Sequence, residues 1–261
     1  MHKVNIIDVG AVGGLEPPWS RHRQHVGTVL EFEPDGAERI KGDTIRLPYA
    51  IWSHNGRETL HFFKGGLGSA SLKRQNMAWV REHYEEIKDQ GNRRLNQTWF
   101  ERSACTGETE IGVRTLDFVL DDLRKRGQGK APFHFLKSDT QSGEYDVLAG
   151  AQSYLKNECA AALLEVFRYP LLEGIRLADE VEAYMASLGF EVIGWSAWQA
   201  SFASQRDMLF ARREPKDGAQ AASIDVVKKI YGVESGPVLF SHKRSLVERV
   251  VRKARILLRT A

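Results

Sequence analysis

The feature that most constrains the fold is a recurrence. Near-continuous apolar runs stand at Val4–Val9 and at residues 28–32, 133–136 and 160–167, separated by stretches with helical periodicity. A strand buried on both faces is apolar at successive positions, not alternate ones, and such strands belong to parallel sheets covered on both sides. The helical stretches are residues 76–89, with Met77, Val80, Tyr84 and Ile87 on one stripe, and residues 115–125, with Thr115 or its neighbour as cap and Leu116, Val119, Leu120 and Leu123 on the apolar face. Two more cover residues 144–155 and 177–188, the last closed by Gly189. Residues 44–52 and 58–63 read as further strands, the second following the turn Ser53-His54-Asn55-Gly56. Phe190–Trp195 and residues 208–212 read as paired edge strands. The prediction is an α/β fold: a mainly parallel sheet with helices on both faces and a terminal antiparallel hairpin.

The chain has 261 residues, 42% of them hydrophobic, enough for one sizeable core. The region 65–110 reads as an irregular insertion, and 215–222 as a linker. Only two cysteines occur, Cys105 and Cys159, which suits a reducing cytosol and argues against a disulfide framework. The chain opens on a strand and holds no apolar run of bilayer length, so a cytoplasmic protein is expected. Net charge is +3, yet residues 243–261 carry seven basic residues and one acid, a surplus of six. The rest of the chain is therefore at −3, which gives no footprint for nucleic acid.

Ligands of such sheets sit beyond the carboxyl ends of the strands, where strand order reverses. Gly10, Gly13 and Gly14 follow the first strand, where glycine permits a tight turn and a close approach to a ligand. Glu33 closes the second strand, about 20 residues on, the spacing at which an acid accepts hydrogen bonds from ribose hydroxyls. A pyrophosphate would need an uninterrupted helix after the glycines, but Leu15-Glu-Pro-Pro follows and Glu16 would repel a phosphate. A nucleoside without phosphates, such as that of S-adenosylmethionine, meets no such obstacle.

Ile7-Asp-Val-Gly-Ala11, Phe32-Glu-Pro-Asp35, Ala50-Ile-Trp-Ser-His-Asn-Gly-Arg-Glu-Thr-Leu60, Thr115-Leu-Asp117, the stretch from Leu136 to Ala151, and Leu164-Glu-Val166 resemble the FkbM-type methyltransferases in order and spacing. The similarity covers about residues 4–213, and residues 136–151 are its most specific part. The resemblance implies a class I Rossmann-like fold, S-adenosylmethionine as methyl donor, and O-methylation, commonly of sugar or polyketide hydroxyls. Carried over by position, Asp8, Gly10, Ala11 and Gly14 fall on the methionine-side loop, Glu33 on the ribose and Ala50 beside the adenine. Asp139 falls next to the methyl group. Residues 1–214 would form the methyltransferase domain, with 215–261 as linker and basic amphipathic helix.

A hydroxyl attacks a methyl carbon only if a base removes its proton or a metal lowers its pKa. Asp139, Glu165 and Glu144 are the candidate catalytic acids. Asp139 and Glu165 could also supply part of an oxygen-rich magnesium site. As alternatives, Glu144 complements a helix dipole and Asp139 caps a turn. The eight histidines show no HExxH spacing; His22 and His25 could act as bases near the loop, and His54 and His61 are assigned no role. The expected acceptor is a hydroxyl of a sugar, glycan or glycolipid. Residues 245–258 alternate an apolar stripe with arginines, which suits docking at the inner face of an anionic membrane or packing on the domain or on a second copy in a homodimer. Two rival readings exist. A nucleic-acid methyltransferase would want a Pro-Pro turn where Ser138-Asp-Thr-Gln141 stands. Val12 and Glu16 leave open a non-catalytic nucleoside- or partner-binding module with a degenerate loop.

Overall fold

The computed structural model describes residues 1–34, 37–65 and 70–241. Asp35, part of the 65–71 loop, and the basic segment 243–261 lie outside the described residues. Strand β1 (Val4–Val9) is followed by two short 3-10 turns, Trp19–Arg21 and Arg23–His25, in place of the longer helix a dinucleotide would need. Next come β2 (Val26–Phe32), β3 (Arg39–Lys41) and β4 (Thr44–Leu47). The single strand expected over 44–52 is broken: β5 (Ala50–Ile51) resumes in a different sheet, after Pro48, which has no N–H to give a ladder. Then follow β6 (Gly56–Phe63) and helices α1 (Met77–Ile87), α2 (Arg93–Gln97) and α3 (Trp99–Arg102).

The expected irregular insertion ends in the longest strand of the described residues, β7 (Cys105–Arg114). It pairs antiparallel with β6 and parallel with β5. Its first six residues are exposed, so it shows no apolar alternation to read. Helix α4 (Leu116–Lys125) starts at Thr115, whose side chain accepts the Phe118 N–H. After β8 (Phe135–Ser138), the helix expected over 144–155 splits into α5 (Glu144–Ala149) and α6 (Gln152–Asn157). Asp117 fixes the break by accepting the N–H groups of Ser153 and Tyr154, both at 2.8 Å.

The chain continues through β9 (Ala161–Phe167), α7 (Ala178–Ser187), β10 (Phe190–Trp195) and β11 (Gln205–Arg212). Residues 215–222, read as a linker, instead open helix α8 (Gly218–Tyr231), with Asp217 as cap. Strand β12 (Val238–Leu239) pairs with β10, so β10 is not an edge.

The large sheet has the order β12-β10-β11-β9-β8-β1-β2-β4-β3, with β4, β2, β1, β8 and β9 mutually parallel. Strand β11 runs antiparallel between β9 and β10. Alternate residues feed two clusters. Ile7, Leu30, Leu136 and Leu164 join α4, α5, α6 and α7 side chains; Ile6, Val29, Phe135 and Leu163 join Trp19 and Ile224, Val227 and Tyr231 of α8. Because a one-residue slip would exchange the two sets, burial fixes the register. From β1 the chain moves outward to β2 and β4, then returns to β8 and β9 on the other side. The order reverses between β1 and β8.

Candidate active site

Beyond the carboxyl ends at that reversal, two turns lock together. The Asp139 N–H donates to the Val9 carbonyl at 3.1 Å, and both the Gly10 and Ala11 N–H groups donate to Phe32 O at 3.1 Å. Gly10 has φ +78°, and a Cβ there would lie 2.0 Å from the Asp139 carbonyl oxygen. No other residue fits. The loop then closes through Val12 N–H to Gly10 O and Gly14 N–H to Ala11 O. Glu33 follows β2, its N–H on the Leu47 carbonyl at 3.2 Å. Gly10, Ala11, Gly14, Glu33 and Asp139 thus border one end of the sheet.

Asp8 has a different setting from the one its place in the loop motif suggests. It lies within β1, fully buried, 2.9 Å from the Lys137 ammonium on the neighbouring strand. Burial pushes the Asp8 carboxyl up to about 6 against the pull of Lys137. Burial opposes the charge on Lys137 too, but Asp8, Asp139 and Glu16 outweigh it and hold the ammonium above its ordinary range. Lys137 is therefore the fixed cation among the strand-end acids, and the sequence reading gave it no role. Ala50 stands in β5, opposite Val113 in the smaller sheet, and two residues on Trp52 packs against both ends of α5. A Cβ on Gly143 would meet the Trp52 ring at 2.5 Å, and one on Gly150 the Trp52 carbonyl at 2.0 Å. Both glycines of the 136–151 stretch are thus explained by one tryptophan.

The three candidate acids separate into different settings. Glu144 is buried and reaches back to the turn before its own helix, accepting the Thr140 N–H at 2.7 Å and the Thr140 hydroxyl at 2.9 Å. Burial raises it to about 7, against those bonds. Asp139 and Glu165 are bridged: the Gln141 side-chain amide donates to Asp139 Oδ1 at 3.2 Å and to Glu165 Oε2 at 3.4 Å. Burial first, then the charges of Asp139, Glu144 and Asp207, hold the Glu165 carboxyl well above the usual range. An amide donor between Asp139 and Glu165 gives no support to a magnesium ion shared by them.

Gln141 and Ser142 both adopt positive φ, +56° and +86°, an unfavourable conformation for side-chain-bearing residues. The Ser71 hydroxyl holds this turn by donating to the Gln141 carbonyl at 2.7 Å. Gln141, Thr140 and Ser71 were missed from sequence, since nothing in an amide or hydroxyl one or seventy residues away announces the contact. Three buried side-chain atoms at the same strand ends, Asp8 Oδ2, Ser138 Oγ and Ser142 Oγ, have no hydrogen-bond partner among the described residues. Leaving each so costs about 1–3 kcal/mol. A polar ligand would offset that cost. An open hollow of about 350 Å³ lined by Lys64, Arg94, Thr98 and Arg102 lies on α2 and α3, and none of these strand-end residues lines it.

The family model of the methyltransferase FkbM domain matches residues 8–192. The chain belongs to the FkbM methyltransferase family. For an FkbM domain the donor implied is S-adenosylmethionine, and a glycine turn against an acid-bearing strand end fits a ligand without phosphates. Among curated proteins none matches significantly. Among solved structures, the chain is similar to a Streptococcus pneumoniae protein described as a candidate tRNA (m1A22) methyltransferase, with 11% identity over 99% of this chain and 92% of that one, at a TM-score of 0.36. No helix among the described residues of this FkbM domain is long and apolar enough to cross a membrane.

Proposed function

We propose that this FkbM domain is an S-adenosylmethionine-dependent O-methyltransferase acting on a hydroxyl of a sugar, glycan or glycolipid. The observation that carries the reading is the interlock of the Gly10 turn after β1 with the Asp139 backbone after β8, at one strand-order reversal, where such sheets bind ligands. The sheet reads as the class I arrangement, since β4-β2-β1-β8-β9 follows the 3-2-1-4-5 order of doubly wound sheets. When bound, the donor supplies a methyl group on a sulfonium sulfur. The backbone at Gly10, Ala11 and Gly14 would hold its amino-acid end and Glu33 its ribose hydroxyls, with Ala50 and Trp52 towards the base.

Asp139 takes the proton of the acceptor hydroxyl as the oxygen–carbon bond forms and the sulfur–carbon bond breaks. Glu165 anchors Gln141, which in turn orients Asp139. Glu144 sets the Thr140 turn and so acts by positioning. The pair of carboxyls does not need magnesium in this scheme. Contact of residues 243–261 with an anionic membrane would bring the domain to glycolipid acceptors, and a homodimer is compatible with the same stripe.

The test is a screen of glycans, glycolipids and nucleic acids with labelled methyl donor, with and without chelator, alongside two variants. Glu33→Ala should weaken donor binding by calorimetry about 30-fold, equivalent to ~2 kcal/mol of lost ribose hydrogen bonds. Asp139→Asn should leave donor binding intact and lower turnover ~10²-fold or more. Label appearing only in nucleic acid would overturn the acceptor class. Absence of donor binding in the unaltered protein would instead favour a non-catalytic module with a degenerate loop.

A further inference from the structure

The smaller sheet holds a second constellation, away from the strand-end acids. Along β6 and β7, Phe62 pairs with Gly107, but the next residue, Phe63, pairs with Cys105. One residue of β7, Thr106, is therefore extra: a β-bulge. Paired residues share a face, as do residues two apart in one strand. His61 pairs with Glu108, and Phe63 with Cys105. His61, Glu108 and Cys105 consequently project from one face. Without the bulge, Cys105 and Glu108, three apart, would point to opposite sides.

The side chains have converged. His61 Nδ1 lies 2.9 Å from Glu108 Oε1, and a ring nitrogen of His61, the Cys105 sulfur and a Glu108 carboxylate oxygen all lie within 4.8 Å of one another. His61 is buried, and its backbone is fixed by two hydrogen bonds exchanged with Ser71, at 2.8 and 3.1 Å. Cys105 and Glu108 are exposed and free to adjust. One imidazole, one thiol and one carboxylate make a donor set that suits zinc and its neighbours better than magnesium or calcium.

We propose that His61, Cys105 and Glu108 form a binding site for zinc or a similar divalent transition metal, with water in the fourth position. Zinc bonds of about 2.0–2.3 Å place tetrahedral ligands roughly 3.3–3.8 Å apart, so the 2.9 Å His61–Glu108 pair opens by a few tenths of an ångström and Cys105 moves in by up to about an ångström. Binding forms a metal–thiolate bond and releases the Cys105 proton to solvent. It replaces the His61–Glu108 hydrogen bond, and it displaces Arg74, whose exposed guanidinium stands 3.6 Å from the same Glu108 oxygen. The Cys105 thiol gives up its contact with the Gly107 carbonyl, at 3.4 Å. Because Ser71 links His61 to Gln141, the metal would brace the segment that holds the acid-bearing turn.

The test uses the full chain and cobalt(II), which reports a thiolate ligand by a near-ultraviolet charge-transfer band. The unaltered protein should bind one equivalent with that band, and zinc should displace it. Cys105→Ser should abolish the band and weaken binding about tenfold or more. Glu108→Gln should keep the band, weaken binding, and lose most of the rise in thermal midpoint that zinc gives the unaltered protein. No binding at one equivalent, a band that survives Cys105→Ser, or an equal zinc-dependent rise in both variants would overturn the site.

Discussion

The turn after β1 and the antiparallel β6–β7 pair use glycine in opposite ways. Gly10 sits at φ +78° with its missing Cβ overlapping the Asp139 backbone, so the residue is dictated by contact with another strand end. Gly112, in β7, would place a Cβ at an ordinary 4.0 Å from the Tyr49 ring, and nothing there demands glycine. The first region is over-determined because three strands, their turns and a buried ion pair meet in it. The second is a largely exposed ladder whose positions are individually replaceable. A functional cleft built from the former can hold strained residues such as Gln141 and Ser142; the β6–β7 pair holds its chemistry only where a bulge has turned a side chain round.

The contrast can be broken from its strongest point. Gly10→Ala should cost about 3 kcal/mol or more in urea unfolding, from the left-handed backbone and the clash with main-chain atoms, and should abolish donor binding by calorimetry. A variant with unchanged stability would show that the two turns are not locked.

The buried acids give a smaller effect with a definite sign. Asp8, Glu144 and Glu165 all have pKa values raised by folding, so the unfolded chain releases these protons first as pH rises. The stability these three acids contribute is thus fully present below the ordinary carboxylate range and is lost as pH climbs through it towards the folded values, about 6 for Asp8 and about 7 for Glu144. Unfolding free energies at about pH 5 and about pH 8 should show this loss, and Glu165→Gln should reduce it. A slope unchanged in the variant would mean that Glu165 is not held protonated.

In the β6–β7 pair the expected effects are small. Gly112→Ala should stabilise by about 0.5 kcal/mol, because glycine in a strand loses more freedom on folding than alanine. Arg57→Ala removes an exposed ion pair with Glu110 at 3.1 Å, both side chains about two-thirds exposed, and should leave the thermal midpoint unchanged. A large shift in either would put the β6–β7 pair among the over-determined parts.

Legibility followed the same division. Val4–Val9, β2, β9 and the capped helix α4 could be read within a residue or two, because burial on both faces or on one helical stripe writes itself into local apolar pattern. Strand β7 could not, since its exposed charges carry no such pattern, and α8 was hidden behind Pro215 and the small residues after it. At the strand ends, the glycines and Glu33 stand out by spacing and Asp139 by the family resemblance. Lys137 was in plain view, yet its partner Asp8 lies 129 residues away in sequence and on an adjacent strand.

By itself, then, the sequence determined which segments are doubly buried, where glycine and acid end them, and to which family the chain is similar. Only the tertiary structure decided that Gln141 bridges Asp139 and Glu165, that Trp52 requires Gly143 and Gly150, and that a bulge turns Cys105 towards His61. The reason is physical: local pattern records how much of a side chain is withdrawn from water, whereas a partner is chosen by strand order and register, which no neighbouring residue encodes.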